Sequence, residues 1–179
     1  MLRIFCVWLF LFNALQGQTI QYFQTASPGD ARSWVFLNTD ESFLGTMNAR
    51  WPFERRLDEW DLRIGELSGN IKLRWTNRPD EWEVRLNNEF LTAQPIWNKQ
   101  YDAWRLQYKD KTYEFSLDND PEGYLWRLQL GDKDLLLIYN TFLYEYLDWT
   151  IDYATDVEDP VVIASVCFLA SYYGHDQKP

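Results

Sequence analysis

Apolar and polar residues alternate along most of this chain, and five times the alternation opens on tryptophan. The phrases are Trp60-Asp-Leu-Arg-Ile64, Trp82-Glu-Val-Arg-Leu86, Trp104-Arg-Leu-Gln-Tyr108, Trp126-Arg-Leu-Gln-Leu130 and Trp149-Thr-Ile-Asp-Tyr153. They start 22, 22, 22 and 23 residues apart. A constant period of this size marks a supersecondary unit that buries its apolar face only by stacking on its neighbours. Alternation at period two predicts a half-buried strand in each phrase. Short polar turns follow at Asn87-Asn88, Lys109-Asp110 and Gly131-Asp132, residue types that tolerate hairpin angles. Return strands follow in turn, with Ile71, Leu73 and Trp75 alternating with Lys72 and Arg74, and Tyr113, Phe115 and Leu117 with Glu114 and Ser116. Each repeat therefore reads as a β-hairpin.

Two return strands depart from the pattern. Gln94-Pro95 interrupts the second, where proline cannot donate to a ladder, and predicts a bulge or loop. Leu135-Leu-Leu-Ile-Tyr139 in the fourth is continuously apolar and predicts a strand covered on both sides. Upstream, Ser33 to Asn38 and Gly45 to Arg50 read as two further strands. The frame of a leucine-rich repeat is absent, and a propeller blade needs about 40 residues. About ten to twelve strands in consecutive antiparallel hairpins would expose their edges unless the sheet closed, so the expected fold is a closed antiparallel β-barrel.

The chain ends differently. Pro160 to Tyr173 contains no charged residue, Asp159 stands where an N-cap would, Pro160 at the first helical position and Gly174 at the stop. This predicts a helix about 21 Å long. It is shorter than the roughly 17 to 25 residues of a membrane span, and being apolar all round it needs a sleeve. The only sleeve in the chain is the barrel, so the helix is expected to run through its centre.

These hairpins, with the closing run Asp159-Pro-Val-Val-Ile-Ala-Ser-Val-Cys-Phe-Leu169, resemble the tubby C-terminal-like superfamily, which includes tubby-like domains, phospholipid scramblases and LURP-one-related proteins. The resemblance spans about residues 32–174 and implies a barrel of about twelve antiparallel strands around a hydrophobic C-terminal helix. It implies no common activity: tubby-like domains bind phosphoinositide head groups through basic residues, and scramblases are associated with lipid movement and calcium. No matching basic cluster or cysteine cluster is present to carry either site over.

Composition narrows the setting. Residues 1–17 read as a signal peptide, with Arg3, the apolar core Ile4 to Phe12 and a polar end before cleavage near Gly17-Gln18. The remaining divisions are an N-terminal segment 18–31, the barrel with its helix at 32–174, and a tail 175–179. Export to a periplasmic or extracellular space is thus expected, with no transmembrane helix in the mature chain. The chain carries 17 basic and 27 acidic residues, a net charge of −10 that repels nucleic acid and anionic membranes. Without the leader one cysteine remains, Cys167, inside the apolar run, where an inert thiol is expected.

Candidate chemistry is sparse. A Ser-His-Asp set would need His175 with Ser165 or Ser171 exposed from the apolar helix, and zinc ligands are lacking, so no cofactor and no enzyme activity are expected. Asp118, Asp120 and Glu122, followed by Gly123, match the opening of a calcium loop, but Gln129 stands where a bidentate glutamate is wanted. The acidic pairs Asp58-Glu59 and Asp80-Glu81 read as solubilising loop residues. Arg63, Arg85, Arg105 and Arg127 recur on the outward strand face and form the best candidate row for a lipid head group or protein contact. Two functions remain open: a non-enzymatic exported binding domain with a helix-filled barrel, or a lipocalin-like carrier in which the barrel is hollow and the helix lies outside it or caps its mouth.

Overall fold

The computed structural model describes residues 19–52, 56–75, 78–120, 123–142, 145–155, 157 and 159–174. Its twelve strands are β1 (Tyr22–Thr25), β2 (Ser33–Leu37), β3 (Phe43–Trp51), β4 (Arg56–Ile64), β5 (Leu67–Trp75), β6 (Arg78–Leu86), β7 (Glu89–Pro95), β8 (Ala103–Tyr108), β9 (Lys111–Asp120), β10 (Gly123–Leu130), β11 (Lys133–Asn140) and β12 (Asp148–Tyr153), followed by one helix, α1 (Pro160–Tyr173). Every strand pairs antiparallel with the next in sequence, and β1 pairs with β12 to close the barrel. Closure removes the exposed edges that a meander of this length would otherwise leave.

The five repeat tryptophans lie on the inward faces of β4, β6, β8, β10 and β12, second in β8 and β12 but mid-strand in β4, β6 and β10, and Trp34 on β2 points inward likewise in a sixth hairpin. All six are buried. Because even-numbered strands run the same way, these indoles gather near one end of the barrel, called here the tryptophan end. The two-residue turns after β4, β6, β8 and β10 form the opposite, turn end. Their first residues, Gly65, Asn87, Lys109 and Gly131, have φ of 56°, 51°, 54° and 59°, the left-handed backbone that tight hairpins require.

The helix α1 runs inside the barrel from the turn end to the tryptophan end. Residues Val161 to Ser171 are all buried, so side chains on every face of the helix find wall residues, as a helix without a polar side must. Phe168 meets the edge of Trp82 at 4.6 Å and of Trp60 at 5.7 Å. Tyr173 packs on Trp104 at 4.6 Å, and its hydroxyl accepts the Trp82 indole N–H at 2.8 Å. Gly174 is not a left-handed cap, since its φ is −77°. Its small size matters for another reason: a Cβ there would stand 2.7 Å from Trp149 Cη2.

Several details depart from the sequence reading. The barrel does not begin at residue 32, because β1 lies within the segment 18–31 set apart above and closes the sheet through Phe23↔Trp149 and Phe23↔Phe36. A strand of four residues is too short to show a period. Pro95 makes no bulge; it is the last residue of β7, opposite Trp104, and the ladder to β6 has already ended at Ala93. The apolar run in β11 is not a strand covered on both faces. Between Leu128 and Gln129 the register shifts, so Leu135 is the extra residue of a bulge and lies buried beside Leu136. Asp159 holds the N-cap position without a side-chain capping bond, and its carboxylate instead accepts the Tyr108 hydroxyl at 3.1 Å. The pairs around Asp58-Glu59 and Asp80-Glu81 lie in β4 and β6, not in loops.

Candidate functional site

The four arginines of the candidate row all face outward, but they do not form one basic strip. Arg63 and Arg85 stand three residues beyond the repeat tryptophan, Arg105 and Arg127 only one, so they occupy two levels on the barrel wall. Two are already neutralised. Arg127 donates to Asp118 at 2.7 Å and to Asp134 at 2.6 Å, an arrangement that holds its guanidinium above its usual pKa, the Asp118 hydrogen bond being the largest cause. Arg85 donates to Glu83 at 2.7 Å and lies 5.5 Å from the Phe90 ring. Among the described residues Arg63 Nε reaches only the Gly65 carbonyl, at 3.4 Å. Arg105 faces Gln94 on one neighbouring strand and Glu114 on the other.

Asp118 thus serves an arginine. Asp120 is the last residue of β9, and its side chain lies outside the described residues, as does Glu122. Among the described residues no group of three or more His, Cys, Asp or Glu could hold a metal ion. His175 and the leader 1–17 also lie outside the described residues. Both helix serines are buried and donate within α1, Ser165 to the Val161 carbonyl at 2.6 Å and Ser171 to the Phe168 carbonyl at 3.0 Å. The Cys167 thiol is buried, and that burial pushes its pKa up, away from thiolate reactivity.

The exposed aromatics make a site that the sequence reading missed. Among the described residues, four of the six exposed large apolar side chains, Trp51, Trp75, Trp97 and Phe142, belong to the tryptophan end. Each lies two residues beyond the partner of a repeat tryptophan on the preceding strand: Ala49 opposite Trp60, Leu73 opposite Trp82, Pro95 opposite Trp104 and Asn140 opposite Trp149. By simple alternation such a residue would point inward. Register shifts between Ala49 and Trp51, and again between Leu73 and Trp75, turn the indoles out instead, as bulges at strand ends do. Trp97 and Phe142 are carried by the loops after β7 and β11. The signal was present in the spacing, since Trp51, Trp75 and Trp97 lie 24 and 22 residues apart, a second tryptophan series close to the period of the first.

Polar groups border this rim. The Trp51 indole N–H donates to Glu59 Oε2 at 3.5 Å, and Arg50 is ion-paired to Glu59 and Asp61. The Arg74 guanidinium lies 5.5 Å from the Trp75 ring centroid and 3.9 Å from Glu81. Just inside the mouth, burial foremost and Asp58 second push the Tyr172 hydroxyl up to about 12, so it remains a neutral donor. No protein-family model, no curated protein and no solved structure matches this chain.

Proposed function

We propose that the protein is an exported, non-enzymatic binding domain of tubby-like architecture, with its partner held on the outside of the barrel. The observation that carries this reading is the position of α1. Its buried residues Val161 to Ser171 occupy the space that a carrier would need for ligand. The lipocalin-like alternative required a hollow barrel with the helix outside or across the mouth, and that is not the arrangement found. Twelve strands around a C-terminal helix support the tubby-like resemblance, while no shared ligand follows from it.

Of the outer surfaces, the aromatic rim suits a contact better than the arginine row. Arg85 and Arg127 already spend their charge on carboxylates, so a lipid head group would depend on Arg63 and Arg105. Exposed aromatic clusters bordered by polar groups mark interaction sites on otherwise polar proteins. Export rests on the charge and apolar pattern of residues 1–17. Among the described residues no helix is long and apolar enough to cross a membrane.

Cosedimentation of the protein, purified from its native compartment, with the envelope fraction of its source cells tests both parts. The expected result is a mature N-terminus near Gln18 and sedimentation that is lost in the Trp51→Ala/Trp75→Ala/Trp97→Ala variant. An intact Met1, or wild-type protein that stays in the supernatant like the variant, would overturn the reading.

A further inference from the structure

Residues opposite one another on a β-ladder share a face, so the strand registers trace one outward row. It runs Leu125↔Tyr139, Tyr139↔Thr150, Thr150↔Tyr22, Tyr22↔Leu37 and Leu37↔Phe43, across β10, β11, β12, β1, β2 and the start of β3. Every member is uncharged. Leu137 and Val35, two residues along β11 and β2, widen the row into a panel. The strand neighbours Trp126, Ile138, Phe23 and Phe36 point the other way and are buried in the interior. Tyr22, Val35, Leu37, Leu125, Leu137 and Tyr139 are partly exposed, and none of the six packs against that interior core. Phe43, at the edge of the panel, is 65% exposed.

The opposite wall is different. Outward positions of β4 to β9 carry Asp61, Lys72, Glu83, Arg85, Arg105 and Glu114. A chain with 25% charged residues and a net charge of −10 thus keeps one side of its barrel apolar. Arg127, Asp148 and Asp152 border the row, two residues away on β10 and β12, and each is already engaged. Arg127 pairs with Asp118 and Asp134, Asp148 accepts the Thr141 hydroxyl at 2.9 Å, and Asp152 accepts that of Tyr139 at 3.2 Å. Interface centres are depleted of charge and enriched in tyrosine. A basic partner finds no carboxylate within the row, and an anionic bilayer meets the net charge. A second copy brings the same apolar wall, and two chains that each carry −10 repel least through walls without charge. We infer that two copies of this chain associate through the panel about a two-fold axis, with Tyr22 and Tyr139 at its centre. Five strands at about 4.8 Å and five residues at about 3.3 Å cover roughly 400 Å². That is half of the about 800 Å² per partner in a standard interface. The dimer is therefore weak and reversible, with a dissociation constant on the order of 0.1 mM. The inference goes beyond the outer-face reading above and does not rest on it, because the panel includes no residue of the tryptophan-end rim.

Sedimentation velocity of the full chain in reducing buffer, from about 10 μM to about 1 mM on either side of that constant, tests the inference. The mean mass should rise from that of one chain towards two. Added salt should strengthen the association, because it screens the repulsion between copies. Leu37→Lys/Leu137→Lys should hold the mass at one chain throughout, although it brings the net charge nearer zero. Thr92→Lys, the same change on the outward face of β7, should leave the dimer as it is. Circular dichroism and urea unfolding of each variant show that it folds. Amide hydrogen exchange of the unaltered chain gives a reading that needs no variant: at the higher concentration β1 and β12 should gain protection and β6 and β7 should not. A monomer at every concentration would overturn the inference, whether the panel stays bare or residues 1–18 cover it. So would a dimer that salt dissolves, that survives the paired lysines, or that is lost in Trp51→Ala/Trp75→Ala/Trp97→Ala. None of these outcomes bears on sedimentation with the envelope fraction, which tests the outer-face reading separately.

Discussion

At the scale of single residues, the repeat depends on tryptophan for more than its bulk. The indole N–H of Trp34, Trp60, Trp104 and Trp149 donates in each case to the carbonyl three residues earlier, on Ala31, Leu57, Tyr101 and Tyr146, at 2.8–3.0 Å. Each inward ring thus ties down the main chain three residues before it, within β4 for Trp60 and ahead of the strand for Trp34, Trp104 and Trp149, which phenylalanine or leucine could not do. Trp82 instead bonds to Tyr173 on the helix, and the buried Trp126 N–H has no acceptor among the described residues. Trp104→Phe should therefore cost about 1 kcal/mol more than Trp126→Phe, the net worth of one buried hydrogen bond, since the volume lost is the same. Urea midpoints of the two variants measure the difference, and equal losses would contradict the role assigned to the N–H. The period and the inward alternation were legible in the sequence. This bond was not, because its acceptor is a main-chain carbonyl, carried by alanine, leucine or tyrosine alike.

At the scale of elements, strand approach and helix burial set the tightest limits. Gly45 on β3 and Gly69 on β5 are equivalent, pairing with Ile64 and Leu86, and a Cβ at either would drive into the main-chain carbonyl oxygen of Arg63 or Arg85. Backbone cannot yield as a flexible side chain can. Gly69→Ala should lower stability by about 1–3 kcal/mol, as overpacking does, and an unchanged thermal midpoint would show that the strands can part there. On α1, Ala164 is wholly buried, so Ala164→Asp places an unpaired carboxylate in the core and should cost several kcal/mol. Trp fluorescence during urea unfolding reads this, and a variant with near-native midpoint and slope would place the helix outside. The helix and most strands could be read from charge and alternation. β1, the bulges at Trp51, Trp75 and Leu135, and with them the outward rim, could not, because a one-residue register shift reverses which face a side chain takes.

For the molecule as a whole, the closed wall and its filled interior act as one unit. Tyrosines link them: burial first of all raises the hydroxyl of Tyr172 to about 12 and those of Tyr153 and Tyr173 upward as well. At the turn end, burial foremost also brings Tyr108 to about 12, where it bonds to Asp159 at the start of α1 and to Glu89. A tyrosine raised on folding favours the neutral phenol in the native state. Its contribution is complete below the unfolded value of about 10 and is lost as pH rises through the folded value. Urea midpoints should accordingly fall between about pH 10 and pH 12, and a flat profile there would contradict coupled burial of these phenols. Glu89 works in the opposite sense, depressed chiefly by the Tyr108 hydroxyl, so its contribution is lost as pH falls through its lowered value. The barrel encloses α1, and Cys167, buried midway along the helix, reports on that enclosure directly. With Cys6, the second cysteine of the full chain, replaced by serine wherever residues 1–17 are retained, the rate of Cys167 labelling by a thiol reagent in native buffer gives the free energy of the opening that exposes it. An enclosed helix predicts an opening free energy equal to that of global unfolding from urea; labelling as fast as a free thiol's, with the β-sheet circular dichroism unchanged, would contradict it.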